Sequence, residues 1–294
     1  MDDLQLIAAA LSMGSIYALI GLAFTIIYAA SRIMNFAQGE LVMLGGLLGV
    51  TLVDTNLPYP IAFLVTIATV GAGAGFFGRF MVQPLLERRA SMSVIVVLTI
   101  ATALFLQHGA ALVWGKSERF FASPFGGDLV AIGAINFDPQ HFVILGTTLL
   151  ALAATWYFYQ RTRIGRSFQA VAINREAASL IGVDPNRATI VAFAVSGSLS
   201  AAAGVLFSPL SYATPYMGMS LGLKGIAAAI VGGLGNPTGA VVGGFLIAIL
   251  ELLGATYLSA EYRDAIAFLI MMLVLVIRPA GIAGSAQSFR ERYA

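Results

Sequence analysis

No charged residue occurs between Leu4 and Ala30. A helix needs about 20 apolar residues to cross a bilayer, and at that depth only bonds within the helix can satisfy the backbone. This stretch therefore predicts a membrane span. Comparable apolar runs recur at Leu41 to Val53, Ile61 to Phe80, Val94 to Trp114, His141 to Tyr159, Ala188 to Phe207 and Tyr262 to Ile277. The run from Leu223 to Leu258 is too long for one crossing, and Gly232-Gly233-Leu234-Gly235-Asn236-Pro237 breaks it, which predicts a two-helix hairpin. The expected fold is all-α: one polytopic transmembrane domain over residues 1–294, with about eight or nine membrane segments, some broken or paired as hairpins.

Composition agrees with this. The chain is 59% apolar and 10% charged, whereas soluble domains average about half and a quarter. Its 32 glycines lie largely inside apolar runs, where small residues let helix backbones approach closely. Cysteine is absent, which excludes disulfides, thiolate metal sites and thiol nucleophiles. Met1-Asp2-Asp3 is acidic where a secretory leader would be basic, so the first run is expected to be a retained span.

The basic residues are segregated. Arg32, Arg79, Arg88, Arg89, Arg161, Arg163, Arg166, Arg175, Arg187, Arg278, Arg290 and Arg292 all fall on one side if the spans alternate, and these are twelve of the sixteen. Lys116, Arg119, Lys224 and Arg263 fall on the other side with most acids, including Asp2, Asp3, Asp54, Asp128, Asp138, Glu261 and Asp264. Because cytoplasmic loops of membrane proteins carry the Lys and Arg excess, the N-terminus is expected outside and the C-terminus in the cytoplasm. An odd number of crossings follows, and nine fits. The segment 115–140, rich in Gly, Pro and Asp, then becomes an external loop able to form a small hairpin or an interfacial segment.

The most informative polar stretch is Arg175-Glu176-Ala177-Ala178-Ser179-Leu180-Ile181-Gly182, on the cytoplasmic side within the loop 161–187. Its residues propagate a helix, Gly182 can stop it, and Asp184-Pro185 supplies an N-cap and first-turn proline for the next span. A helix over Ser167 to Gly182 is expected, offering a surface that a soluble partner can reach.

Residues for chemistry are sparse. His108 and His141 are far apart and match no metal-binding spacing, and a lone His in a span is more often a packing group. Gly115-Lys116-Ser117 resembles the end of a phosphate-binding loop, but the required earlier glycine is replaced by Ala110, so ATP hydrolysis by this chain is not expected. Neither a Gly-x-Ser-x-Gly elbow nor a paired-carboxylate site stands out. No metal or cofactor is expected.

Some polar groups inside or beside spans need a reason. Glu251 lies within an apolar run, and a carboxylate near the bilayer centre costs about 2.5–3.5 kcal/mol on insertion scales. Either it faces the bundle or a water-filled path, or it sits nearer the outer interface and hydrates or pairs there. Asn35, Gln38 and Glu40 form either a solvated turn or a broken-helix element lining a cavity, since non-helical backbone at membrane depth survives only where protein or water satisfies it. Gly232, Gly233, Gly235 and Asn236 pose the same choice.

Glu176-Ala177-Ala178-Ser179-Leu180-Ile181-Gly182 resembles the E-A-A-x-x-x-G core of the cytoplasmic loop in permease subunits of bacterial ABC importers. With Ile33 to Leu41, Gly165-Arg166, Ile230 to Gly239 and Arg278 to Ile282, the chain resembles the branched-chain amino acid permease family over essentially its whole length. A Leu-Pro pair that continues the loop motif in many other importers is absent, and Asp184-Pro185 comes earlier. The resemblance implies a subunit of the inner membrane that pairs with a second homologous permease, two cytoplasmic ATPases and an external substrate-binding protein. Arg175, Glu176, Ala177, Ala178 and Gly182 would form the coupling helix, and Asn35, Gln38, Glu40, the Gly232–Asn236 turn and Glu251 are candidates for the translocation path. Branched-chain or other hydrophobic amino acids are the leading cargo, with urea, short amides or aromatic acids as alternatives. An ion-coupled secondary carrier is the competing class, and it would need Glu251 as an ion relay.

Overall fold

The structure is a computed structural model that describes residues 3–120, 130–132, 135–137, 139–257, 259, 261 and 263–284. Asp2, Asp128, Asp138, Arg290 and Arg292, which enter the charge argument above, lie outside the described residues, as do Leu258 and Tyr262 at the ends of expected spans.

Twelve α-helices are described. In chain order they are α1 (Asp3–Ser31), α2 (Gln38–Asp54), α3 (Tyr59–Phe77), α4 (Gln83–Glu87), α5 (Met92–Trp114), α6 (Pro139–Arg161), α7 (Arg163–Ile173), α8 (Arg175–Leu180), α9 (Pro185–Phe207), α10 (Met217–Gly232), α11 (Pro237–Tyr257) and α12 (Arg263–Ile277). Six stretches are long and apolar enough to cross a membrane, and the α3–α4 pair counts as one of them. The shorter α10 is also apolar, and α2 and α12 occupy the other two expected runs. The hairpin foreseen within Leu223 to Leu258 is present as α10 and α11, but α10 begins earlier, so Lys224 lies inside a helix and not in a loop. The loop 115–140 does carry a small antiparallel hairpin, β1 (Val130–Ile132) with β2 (Ile135–Phe137).

Two departures from the expected boundaries have local causes. The third span was expected to stop near Arg79, yet it continues to Glu87 through a π-helical turn at Gly78–Val82. Pro84 cannot donate to a helical bond and clashes with the carbonyl four residues earlier, and the wider turn just before it accommodates that clash. The expected helix over Ser167 to Gly182 is two helices. Asn174 interrupts it with extended backbone, and its side chain accepts bonds from the Glu176 and Ala177 N–H groups, capping α8.

The centre of the bundle is α1, α2, α9, α10 and α11, with α3 on the flank of α9. α5 and α6 sit at the periphery, and most of their surface is exposed. Backbone contact between α2 and α9 sets how tightly the centre closes. A Cβ at Gly204 would strike the Val42 carbonyl oxygen, and one at Gly45 would strike the Ala201 backbone. Such close approach is how helices associate where lipid supplies no hydrophobic drive.

Gly204→Val should therefore lower stability by about 2 kcal/mol or more, as forced overpacking does, whereas Gly146→Ala, where an added Cβ meets nothing within 4 Å, should be tolerated. Thermal unfolding of the two purified variants in mild detergent checks the contrast.

Candidate functional site

α1 ends at Ser31, and α2 does not begin until Gln38. Between them Arg32 turns the chain with φ 59°, and residues 33–37 run back into the bundle. Asn35, Gln38 and Glu40 are only 1%, 0% and 4% exposed, so the solvated-turn alternative is excluded and the buried-break alternative holds. The depth is set by neighbours. Phe36 N–H donates to Thr99 Oγ1 at 3.3 Å, and Thr99 lies seven residues into α5, about 10 Å along it.

The break is satisfied by side chains. Asn35 Nδ2 donates to Gln38 Oε1 at 3.2 Å, and Asn35 Oδ1 accepts from Ala37 N–H at 3.2 Å. Gln38 Nε2 donates to Ser196 Oγ at 2.7 Å and reaches Ser200 Oγ, both on α9. Ser196 Oγ in turn donates to the Ala23 carbonyl of α1 at 2.8 Å. Three helices are thus tied together around the one place where helical bonding lapses, as buried polar groups in a low-dielectric interior require.

Next to this network, Gly39 packs directly on Gly218 and Gly222 of α10, where a side chain on any of the three would collide. The Glu40 carboxylate lies against Gly218, and its Oε2 is buried with no hydrogen-bond partner among the described residues. A cavity opens on each side of α5. One, about 560 Å³ and apolar, lies between α2, α3 and α5 and includes Asn35. The other, about 270 Å³, lies between α5 and α10 and includes Glu40.

Glu251 belongs to a separate cluster. Its Oε1 accepts from Lys224 Nζ at 2.9 Å, from Arg263 Nε at 2.6 Å and from Tyr17 OH at 3.3 Å. Lys224 Nζ also pairs with Asp264 Oδ1 at 2.7 Å and stands 5.6 Å from the centre of the Tyr17 ring. Two cations and two anions therefore join α10, α11 and α12, with Tyr17 of α1 beside them. Glu251 is six residues from the end of α11, about 9 Å. It faces the bundle, 1% exposed, and is paired there.

The Gly232–Asn236 turn lies at the opposite end of α10, ten residues past Gly222 and so about 15 Å along the helix. It is a clasp for the C-terminal segment. Ile282 N–H donates to Val231 O at 2.8 Å, Ala283 N–H to Gly232 O at 3.0 Å, and Asn236 Nδ2 to Ala283 O at 3.0 Å. Gly233 and Gly281, with φ 108° and 78°, meet backbone to backbone. Two of the motifs singled out in the sequence, Ile230 to Gly239 and Arg278 to Ile282, are thus one contact. The turn is not brought to Asn35, Gln38 and Glu40.

At the same end as the clasp, α7 and α8 lie across the bundle. Phe168 of α7 is buried against Phe158 and Tyr159, and Arg32 donates to the Ala172 carbonyl at 2.8 Å. Gly182 stops α8 with φ 83°, and Asp184 caps α9 through the Asn186 and Arg187 N–H groups, as the sequence predicts. Arg175 braces α8 on α9 by donating to Asn186 Oδ1 at 3.0 Å. Partial burial pulls its guanidinium pKa down and Asp184 pushes it up, but it remains charged at any physiological pH. Ala178 faces inward and is buried, while Glu176 and Ala177 face out. Ile173, Leu180 and Ile181 are 85%, 87% and 75% exposed beside them. Sequence reasoning did not select these three, although apolar residues in a polar loop were a readable sign. It also missed Gly218, Gly222 and Ser196, which are ordinary small residues in an apolar run until α2 is placed against them.

The family model for the permease component of branched-chain amino acid transport systems matches residues 6–275. The chain is similar to LivH of Escherichia coli K12, a high-affinity branched-chain amino acid transport permease protein, at 31% identity over 96% of this chain and 95% of that protein. It is 29% identical to the ribose import permease RbsC of Haemophilus influenzae, over 94% of this chain and 84% of that one. Among solved structures, PsaBC from Streptococcus pneumoniae in complex with Fab shares the fold, with a TM-score of 0.52 at 12% identity over 97% of this chain and 95% of the other.

Removing one partner from a buried ion pair costs about 3–5 kcal/mol. Lys224→Met, which leaves Glu251 and Asp264 without their shared cation, should destabilise the bundle by an amount of that order, and Lys224→Met with Glu251→Leu should recover part of the loss. Unfolding of the single and double variants in detergent measures both.

Proposed function

The chain belongs to the family of permease components of branched-chain amino acid transport systems, and from this we propose that it forms half of the transmembrane passage of an ATP-driven importer, carrying branched-chain or other hydrophobic amino acids. Members of this family are multi-pass membrane proteins that transport rather than react, and the chain's apolar helices fit that role. A second homologous permease completes the passage, two cytoplasmic ATP-binding subunits drive it, and an external binding protein delivers the cargo. The site of action is the bacterial inner membrane, with the N-terminus outside and the clasp and α8 in the cytoplasm.

The observation that carries this reading is the outer face of α8. Glu176 and Ala177 stand beside three exposed bulky apolar side chains, on a short helix capped by Asn174, braced by Arg175 and buried at Ala178. An exposed apolar patch on a braced helix marks a protein or membrane interface, and the resemblance of this stretch to importer coupling loops favours a protein. Partner closure on ATP binding would push this helix and bias the bundle between outward and inward states, a displacement passed on by packing. The loop 161–187 is then the coupling element, and 115–140 faces the binding protein.

The competing carrier needs an ionisable group free to bind and release an ion. Glu251 is held by two cations and a tyrosine instead, which favours the ATP-driven reading. The full-length similarity to a ribose permease means that the family alone does not set the cargo. Urea, short amides and aromatic acids remain the second reading.

The reconstituted complex should take up L-leucine only with ATP on the cytoplasmic face and binding protein on the other. Glu251→Gln should keep that ATP dependence with reduced protein yield. Uptake driven by a proton gradient without ATP, and abolished by Glu251→Gln, would establish the carrier.

A further inference from the structure

Glu40 lies in the first turn after the α1–α2 break, and the break does not need it. Asn35, Gln38, Ser196, Ser200 and Thr99 account for the hydrogen bonds there. Its position in the first turn of α2 gains from the positive end of the helix, but that interaction leaves Oε2 buried and unpaired. An unsatisfied buried charge is costly unless something arrives to meet it.

What could meet it is defined by the cavity between α5 and α10. Its volume of about 270 Å³ is a little below the roughly 300 Å³ at which drug-sized pockets begin, so it admits a small molecule. Ile100, Leu104, Leu223 and Ile226 make its walls apolar, and Gln107 adds an amide to the lining. Gly218 leaves the carboxylate room on the α10 side, since a Cβ there would lie 2.7 Å from Oε2. A carboxylate acceptor, an amide donor and branched aliphatic walls suit a molecule with an ammonium group, a carboxylate and an aliphatic side chain.

We propose that Glu40 receives the ammonium group of an aliphatic α-amino acid in the cavity between α5 and α10, making this a cargo subsite within the membrane. The cargo's carboxylate faces Gln107 and its side chain lies on Leu223 and Ile226. The inference rests on the amino-acid importer reading and adds the residue that distinguishes cargo by charge inside the permease, apart from any selection by the binding protein.

The chain has no cysteine, so Leu223→Cys places a single reporter on the cavity wall. Labelling of that thiol by a small maleimide, followed on this chain in the assembled complex, is the test. 3-Methylbutylamine should slow labelling, whereas 4-methylpentanoate, the same skeleton bearing an anion, should not. Hydrogen bonds to charged groups are worth about 1.5–3 kcal/mol, so Glu40→Gln should weaken amine protection by about tenfold or more. Glu40→Asp, which keeps the charge but draws the carboxylate back by one methylene, should weaken it as well and serves if Glu40→Gln fails to assemble. Equal protection by the carboxylate, or amine protection unchanged in either variant, overturns the proposal. Protection that behaves as expected upholds the subsite even where ATP-dependent uptake is missing, so the two readings fail separately.

Discussion

Everything in this bundle depends on satisfying backbone that leaves its helix inside the membrane. The N–H groups of residues 33–37 have no i to i−4 partners, and no lipid can supply them. Gln38 does much of the work, reaching from the start of α2 to two serines of α9, and Ser196 passes the connection to the Ala23 carbonyl of α1. Those bonds form only because α2 and α9 touch at backbone distance through Gly45 and Gly204. The glycine content and the polar break are one device: close approach lets short side chains replace the missing helical bonds.

α10 links the remaining features. Gly218 and Gly222 meet the start of α2, Lys224 is buried in the charge cluster two residues on, and Gly232 sits in the clasp with the C-terminal segment. A shift of this helix would be felt at the cavity beside Glu40, at the four-charge cluster and at the end where α8 is mounted. The charge cluster is held most firmly at Lys224 and Glu251, whose side chains are 7% and 1% exposed, because separating them would strand a charge in a poorly solvated place.

Much of this was legible in the sequence, for reasons of scale. Spans follow from apolar runs of bilayer length, and the α10–α11 hairpin followed from a glycine-rich turn inside a run too long for one crossing. α8 was readable from Gly182 and Asp184-Pro185, which are local signals. The split between α7 and α8 was not foreseen, because Asn174 as a cap is decided by where its side chain turns. The depth of Asn35, Gln38 and Glu40 was equally hidden, since the same letters suit a wet turn or a buried break until α9 and α10 are packed on them. Glu251 and Lys224 showed opposite charges in neighbouring segments, but their pairing depends on a helix that begins at Met217, before the apolar run does. The Gly232–Asn236 turn was noticed for the right residues and the wrong contact, because its partner, Gly281, lies far along the chain.

The account stands on α8 being a seat for a separate ATPase. Affinity purification of the tagged chain in mild detergent, comparing the parent with Glu176→Arg, addresses that directly. The account predicts that an ATP-binding subunit and a second permease accompany the parent, and that the charge reversal loses the ATP-binding subunit while keeping the permease. A parent chain that comes down alone yet transports in sealed vesicles without ATP would contradict it.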